Sequence, residues 1–549
     1  MTNLKLLLSV LFLGVVPSFA HAAQETPDAL VAQGRALLSH NKAAEALPLF
    51  EKADQLGGGK LATHMWVLRC WLQQGKLNDT LDAIDKLAKT EKGPELDYLY
   101  GMGFWFIDKD RLAQNAGGAI IGMNFTDAVT FLKKATSADG KRYFDAWLPL
   151  AESAWYAQDL PAARDAAEKA CAAEPKDAPA FQMLGQIAFS QYIAARDDEK
   201  QKEQAAAHLV AARTAFEKAD ALLAPSADPA DRAARAQAQK QLGDVASWAK
   251  DKAAAEAAYG RALGLDPNVA DLRALYPQIA GSFDKEYAEV FLATMEMAEK
   301  TFVETWGAEN KGDATILWWL GWARMDGKQY ETAETAFAGA FKKWPEYKNS
   351  WFFIGVCRYS RQDYAGSIQA IAKHIELDRD DLVATVRQNN ARYLPILDFL
   401  VSKAAEGQLV VAAQLSEVQA LSAQDVSRYW NNAGLFWRDA GEGLRRSSDA
   451  AEKKLATQYF ETALVDYEKA LALEPEHPNY LNDTAVMLHY YLDRDLERAK
   501  ALYQKSQQRA AALLEKKDLS RSDRELYQIA LRDSANNLAK LEKGIKTQG

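Results

Sequence analysis

The feature that most constrains the fold is a spacing of small and aromatic residues that recurs along the chain. In the segment 317–345, Gly321 is followed twelve residues later by Ala333, sixteen residues later by Phe337, and then by Pro345. The same offsets recur at Gly243, Ala255, Tyr259, Ala262 and Pro267. A small residue on one helix lets a second helix approach closely, a large residue fills the gap, and proline stops the second helix. The spacing therefore predicts helical hairpins, each packed on the next.

Further hairpins follow the same pattern with larger departures, among them Gly34 with Phe50, Gly185 with Phe216, and Gly434 with Tyr467. The pattern resembles the tetratricopeptide repeat family, whose unit is about 34 residues long. The resemblance covers most of the chain in roughly ten degenerate units. It implies an all-α fold of the α-solenoid type, in which helical hairpins stack into a right-handed superhelix with a concave groove.

The first 22 residues predict a cleavable secretory signal. Lys5 precedes an apolar run over 6–16, and Ala20-His21-Ala22 has the small-residue pattern of a cleavage site. The apolar run is too short to span a bilayer, and a buried first helix is the less favoured alternative. We therefore expect cleavage after Ala22 and export to the periplasm, with secretion from the cell as the alternative.

Breaks in the repeat pattern divide the rest of the chain. We expect an N-terminal repeat array over 23–279, connecting helices over 280–312, two central repeats over 313–379, connecting helices over 380–427, and C-terminal repeats with a capping helix over 428–549. Ser522 and Glu525 have the spacing of a capping box at the start of that last helix. The insertion at 108–125 is rich in glycine and apolar residues, and apolar side chains exposed there need a covering partner.

Composition and motifs argue against several classes of function. The formal net charge is −9, and an acidic chain lacks the general basic face that nucleic-acid binding needs. Cys70, Cys171 and Cys357 lie far apart in apolar helical contexts, which favours buried thiols over a metal site. The sequence contains no phosphate-loop, dinucleotide, zinc-protease or nucleophile-elbow motif. We therefore expect no enzyme activity, cofactor, bound metal or integral membrane span.

A tryptophan-rich stretch, ILWWLGWARMDG at 316–327, is the strongest candidate for a binding surface. The resemblance implies that fixed positions of each first helix line the concave groove, counted here with Gly321 at position 8. Those positions carry Trp318, Trp322, Met325, Phe352 and Tyr359. Trp319 turns toward the preceding hairpin and is predicted to be structural. The alternative is that the helices of 276–312 or 380–427 fold back and bury the rings.

A second groove patch is predicted earlier in the chain from Tyr98, Met102 and Trp105. Arg35 and Arg69 occupy groove positions of other units, where they form a candidate anion site. The Lys/Asn carboxylate clamp of some family members is absent, because those positions carry Val31 and Arg35, Met65 and Arg69, and Trp318 and Trp322. Exposed Trp and Tyr rings suit protein or peptide partners. They also suit sugars, which stack on flat rings.

The sequence therefore predicts a non-enzymatic scaffold or assembly factor of the periplasm or cell envelope that binds protein partners in its groove. The alternative is a glycan-binding module of an envelope polysaccharide system that uses the same aromatic residues. Saccharide-induced changes in tryptophan fluorescence would distinguish the second function from the first. An enzyme would instead need a buried polar cluster with perturbed ionisation in a cleft.

Overall fold

The regular structure of the protein is helical throughout the part of the chain that the structure describes. This structure is a computed structural model that describes residues 26–39, 41–114, 123, 125–307, 309 and 313–548. None of these residues forms a strand, so the all-α prediction is confirmed. The predicted signal over 1–22, its cleavage site after Ala22 and half of the insertion at 108–125, namely 115–122 and 124, lie outside the described residues.

The contacts between Cα atoms divide the chain into two compact units. Unit 1 ends at Asp231 and unit 2 begins at Arg232. The helices of unit 1 are α1 (Pro27–Ser39), α2 (Ala43–Leu56), α3 (Leu61–Gln73), α4 (Leu77–Leu87), α5 (Pro94–Gln114), α6 (Phe125–Asp139), α7 (Trp147–Tyr156), α8 (Leu160–Ala173), α9 (Ala178–Ala195) and α10 (Lys202–Leu223). The boundary falls inside α11 (Pro229–Trp248). The domain limits expected from the sequence stay predictions.

Unit 2 contains the longer series of helices. They are α12 (Lys252–Leu265), α13 (Leu272–Phe283), α14 (Tyr287–Trp306), α15 (Ala314–Asp326), α16 (Tyr330–Lys343), α17 (Ser350–Ser360), α18 (Tyr364–Arg387), α19 (Asn390–Ala404), α20 (Leu409–Ser422), α21 (Ser427–Arg445), α22 (Ala450–Leu473), α23 (Pro478–Val486), α24 (Leu496–Leu514) and α25 (Arg521–Gln548). The backbone leaves the helical conformation at Asp378, so α18 is two helical segments joined by a kink. In each unit, helices close in sequence pack against one another, as an α-solenoid requires.

The predicted repeat pattern appears as a recurring contact inside the hairpins. An aromatic ring of the second helix lies against a glycine of the first in the pairs Gly34–Phe50, Gly185–Phe216, Gly243–Tyr259, Gly321–Phe337 and Gly434–Tyr467. All five rings are fully buried. A β-carbon built on Gly185 would lie 2.6 Å from Phe216 Cδ1, so even alanine would force the ring to move. The spacing of small and aromatic residues therefore marks helix–helix packing, as predicted.

The two stretches that lack the repeat pattern are also helical. They contain the pair α13 and α14 and the pair α19 and α20. α14 packs onto α12, where Gly260 faces Met297 and Gly264 faces Thr301 of α14. Glycines thus allow close approach here too, but at a spacing that the repeat pattern does not describe.

The capping of the last helix differs from the prediction. α25 begins at Arg521, and the backbone N–H of Asp523 donates to Ser520 Oγ at 3.0 Å. The prediction that Ser522 caps this helix is therefore wrong, because Ser520, two residues earlier, is the residue whose side chain caps it. Glu525 instead accepts a hydrogen bond from Arg521 Nε at 2.9 Å.

We predict that Gly243→Ala lowers the stability of unit 2, because the added methyl group overlaps the buried Tyr259 ring. Overpacking of this kind costs about 1–3 kcal/mol. Gly281→Ala in α13 is the matched control, since a β-carbon there meets no atom within 4 Å. The Gly281→Ala control should leave the stability of unit 2 unchanged or raise it, because alanine favours the helix over glycine by about 1 kcal/mol. Thermal unfolding followed by circular dichroism checks both, and equal midpoints would contradict the packing account.

Candidate functional site

Unit 2 contains an open pocket of about 910 Å³, which we call the aromatic pocket. Seven aromatic side chains line it: Tyr276, Trp318, Trp319, Trp322, Tyr347, Phe353 and Tyr393. Four carboxamide side chains share the lining: Asn268, Asn349, Gln388 and Asn389. The charged lining residues are Asp271 and Arg273, which have opposite signs, so the pocket is close to neutral.

Trp318 is half-buried on α15, and specific contacts hold its ring. Its Nε1 donates to Asn349 Oδ1 at 3.0 Å. The ring lies at 24° to that of Tyr347, with the centroids 6.3 Å apart, and meets Phe353 edge-on at 5.5 Å. The Tyr347 hydroxyl is in turn 2.6 Å from Thr315 Oγ1. Trp318, which was predicted to line the groove, therefore lines the aromatic pocket with its ring held in place by these contacts.

Trp322 is also half-buried, and its partners come from the stretch at 276–312. Its ring meets Tyr276 edge-on at 4.9 Å and Phe291 at 6.4 Å. The helices of that stretch thus cover part of the ring, while the ring still borders the pocket. Trp319 packs edge-on against Phe291 at 5.9 Å, as a structural residue would, but it lines the pocket as well.

The prediction that Met325 and Phe352 line an open groove is wrong. These side chains are 1% and 0% exposed. Tyr393 of α19 lies edge-on against Phe352 with 5.0 Å between centroids, and Met325 belongs to the same hydrophobic cluster. Tyr359 is half-buried beside Phe399 of α19, 5.6 Å away, and is not part of the pocket lining. The reason in each case is packing by neighbouring helices, which the repeat pattern does not reveal.

Unit 1 contains a second opening of about 790 Å³, which we call the charged cavity. Arg35 of α1, Arg69 of α3 and Trp105 of α5 all line it. The two predicted arginines and one predicted groove aromatic therefore come together. The other charged lining residues are Asp145, Glu174 and Asp177.

Asp145 lies between the two arginines. Its Oδ1 is 3.2 Å from Arg35 Nη2, and its Oδ2 is 4.0 Å from Arg69 Nε. The guanidinium of Arg35 also lies over the rings of Trp66 and Phe144, at 4.5 and 4.2 Å from their centroids. The candidate anion site thus contains an internal carboxylate. Sequence reasoning missed it, because Asp145 is 110 residues away from Arg35.

The prediction that Tyr98 and Met102 face the groove is wrong, because both are 0% exposed. The Tyr98 hydroxyl donates to Asp145 Oδ2 at 2.7 Å, and its ring stacks on Tyr143 at 5.2 Å. Burial, followed by the charge of Asp145, raises the pKa of Tyr98 well above its ordinary value, so the hydroxyl remains a donor. Trp105 alone of this patch borders the cavity, and its Nε1 donates to Glu152 Oε2 at 2.7 Å.

The predicted burial of the thiols holds for Cys70 and Cys357, whereas Cys171 is half-buried. Burial raises the pKa of Cys70 to about 11 and that of Cys357 to about 12. Across the described ranges, no group of three or more His, Cys, Asp or Glu side chains is placed to hold a metal ion. None of the helices in those ranges combines the length and apolar character needed to cross a bilayer.

We predict that Trp318 and Asn349 are energetically coupled through their hydrogen bond. Trp318→Phe and Asn349→Ala should each destabilise unit 2 by about 1 kcal/mol, the usual contribution of such a bond. The double variant should lose about 0.5–1 kcal/mol less than the sum, because the bond is removed once. Urea unfolding followed by circular dichroism measures the cycle. Trp155→Phe with Asn349→Ala is the control pair and should be additive, and additivity in both pairs would refute the coupling.

Comparisons with known proteins give no family assignment. No protein-family model matches the chain, and no curated protein matches it. Among solved structures, the crystal structure of the APC/C hetero-tetramer Cut9–Hcn1 is similar at 13% identity and a TM-score of 0.26, covering 94% of this chain and 97% of that one. The crystal structure of the P58(IPK) TPR domain is similar at 14% identity and a TM-score of 0.18, covering 82% and 99%. Likenesses this weak do not bear on function.

Proposed function

We propose that this chain is a non-enzymatic scaffold or assembly factor that binds a protein partner through the aromatic pocket of unit 2. The observation that carries the proposal is the set of half-buried tryptophans around one open pocket. Trp318, Trp319 and Trp322 each keep part of the ring uncovered although neighbouring helices pack on the rest. Rings that are held in place and partly exposed offer large contact area at small entropic cost, which is why Trp and Tyr dominate binding energies at interfaces.

The lining of the pocket favours a neutral peptide segment. Apolar or aromatic side chains of a partner would pack against the rings. The carboxamides of Asn268 and Gln388, which are both exposed, can donate to and accept from the peptide groups between those side chains. A volume of about 910 Å³ lies in the usual range of ligand pockets, roughly 300–1,000 Å³, so it accommodates a short segment.

We also propose that the chain acts in the periplasm or cell envelope. The support is the pattern of residues 1–22, in which a positive residue, a short apolar run and Ala20-His21-Ala22 are typical of an exported precursor. The partner would then be another exported or envelope protein.

A glycan is the second candidate ligand, because the same pocket offers flat rings beside amides. Sugar C–H faces stack on indole rings, and hydroxyl groups pair with exposed carboxamides such as those of Asn268 and Gln388. A saccharide that fits would change the fluorescence of Trp318 or Trp322.

The test selects peptides from a random display library on the mature chain, residues 23–549, and measures their affinity for two variants. Asn268→Ala/Gln388→Ala removes exposed amides from the pocket rim. It should weaken binding roughly tenfold, as expected for two lost hydrogen bonds. Gln408→Ala/Gln458→Ala removes two exposed amides elsewhere in unit 2 and should leave affinity unchanged.

Two outcomes would overturn the protein-binding proposal. One is that no peptide is enriched, or that enriched peptides bind both variants equally well. The other is that envelope saccharides change tryptophan fluorescence in the parent chain but not in Asn268→Ala/Gln388→Ala, which would establish the glycan function instead.

A further inference from the structure

Two indole N–H groups at the aromatic pocket are available to a ligand. The rings of Trp319 and Trp322 line the pocket, and both side chains are half-buried. Neither Nε1 atom bonds to an acceptor in the described part of the chain, and neither is among the buried atoms that lack a partner there, so both nitrogens keep accessible surface. An indole nitrogen donates and cannot accept. Each ring therefore offers a ligand one hydrogen-bond donor.

Two carboxamides of the pocket are held so that they also offer donors. Asn349 Oδ1 accepts from Trp318 Nε1 at 3.0 Å, and Asn389 Oδ1 accepts from the backbone N–H of Arg392 at 3.2 Å. Because both of those partners can only donate, the oxygen of each carboxamide must face them, and the amide nitrogen is left for other contacts. Neither Nδ2 atom bonds to an acceptor among the residues that the structure describes. The pocket thus presents indole and amide N–H groups together.

The strongest acceptor of the pocket is at its exposed edge. Asp271, the one carboxylate among the described lining residues, is exposed and already accepts from the backbone N–H of Arg273 at 2.9 Å. The carboxamides of Asn268 and Gln388 are exposed too and can serve in either role. An ordinary peptide brings one N–H per residue, and a sugar brings a donor with every hydroxyl group. Proline keeps the carbonyl group and lacks the N–H, so a proline segment matches these donors best.

The arrangement of the rings also suits proline. Trp319 is inclined at 80° to Trp318 and at 66° to Trp322, and Trp322 is inclined at 89° to Tyr276. Rings inclined in this way do not share one plane, so a compact pyrrolidine ring fits against them better than an extended flat ligand does. The C–H groups of proline beside its nitrogen are slightly positive and pack on the negative faces of aromatic rings. Proline-rich chains also lose little conformational freedom on binding, because the polyproline II helix is already formed.

From these observations we infer that the aromatic pocket binds a proline-rich segment of its partner in the polyproline II conformation. The prolyl rings pack against the indole rings that line the pocket. The backbone carbonyl groups accept from Nε1 of Trp319 and Trp322 and from Nδ2 of Asn349 and Asn389. The inference rests on the proposed function and names the kind of peptide that the pocket takes. The neutral lining agrees with it, since such a segment carries no charge.

The experiment follows the indole N–H resonances of the mature chain, residues 23–549, labelled with ¹⁵N-tryptophan and assigned by single Trp→Phe variants. The probe is L-hexaproline with blocked termini, and D-hexaproline is the matched control, because it has the same composition and forms a helix of the opposite hand. L-hexaproline should move the proton resonances of Trp319 and Trp322 downfield in a saturable way, as a new hydrogen bond to a carbonyl group does. D-hexaproline should bind at least roughly tenfold more weakly, because its carbonyl groups cannot meet the same donors.

Two double variants test the amide donors. Asn349→Asp/Asn389→Asp removes both donors and keeps the oxygen that each internal partner needs, and aspartate at 389 still caps α19. This variant should weaken binding of L-hexaproline roughly tenfold or more, since two hydrogen bonds are lost. Gln408→Glu/Gln458→Glu adds the same charge at exposed positions outside the pocket lining and should leave affinity unchanged. Circular dichroism confirms folding, and Asn389→Asp alone replaces the first variant if it unfolds.

Three outcomes would overturn the inference: no saturable shift with L-hexaproline, equal binding of D-hexaproline, or equal affinity of the two double variants. The peptides selected from the random display library test the proposed function separately. If those peptides bind in a way that depends on Asn268 and Gln388 while L-hexaproline does not bind, the inference alone fails. If neither binds, both fail. Envelope saccharides that move the same indole resonances when L-hexaproline does not would establish the glycan function instead.

Discussion

The approach of a large ring to a glycine, which recurs in five of the described hairpins, is the contact on which the rest of the structure depends. Where Phe337 lies against Gly321, or Tyr259 against Gly243, two helices come close enough to share a core. One such pair cannot bury its own apolar face, so the next pair must cover it, and helices stack in chain order within each unit. Some side chains of the first helices, such as Arg35 and Trp318, are covered only in part by this packing and border the two openings.

The two openings have different chemistry because different residues occupy equivalent places on the helices. In unit 2 the lining is aromatic and amide, with one charge of each sign, so recognition there depends on ring packing and on hydrogen bonds to neutral groups. In unit 1 five charged side chains line the cavity. Because the cavity wall is partly buried, the electrostatic interactions between these groups are stronger than they would be at the surface. The Arg35–Asp145 pair satisfies one part of that lining, and the charge of Arg35 also lowers in part the pKa of Glu174, which burial raises.

The contacts inside the hairpins could be predicted from the sequence, because they follow a fixed spacing between residues. The positions of Arg35, Arg69, Trp318 and Trp322 at openings agree with the groove positions that the resemblance implies. The errors at Tyr98, Met102, Met325 and Phe352 have a common origin, since burial of a helix face depends on neighbouring helices that carry no repeat pattern. Tyr276 and Tyr393 were missed for the same reason. Asp145 was missed because nothing local in the sequence marks a partner 110 residues from Arg35.

Trp318 and Trp322 of unit 2 border an open pocket that is accessible to solvent, rather than a closed core. The most direct test is the fluorine chemical shift of each fluorotryptophan in H₂O and in D₂O, with resonances assigned by single Trp→Phe variants. Trp66, which is 3% exposed, sets the smallest expected solvent isotope shift, and Trp248, which is 43% exposed, sets the largest. The account predicts solvent isotope shifts between these limits for Trp318 and Trp322. Shifts as small as that of Trp66 would contradict it, because the rings would then be sealed from solvent.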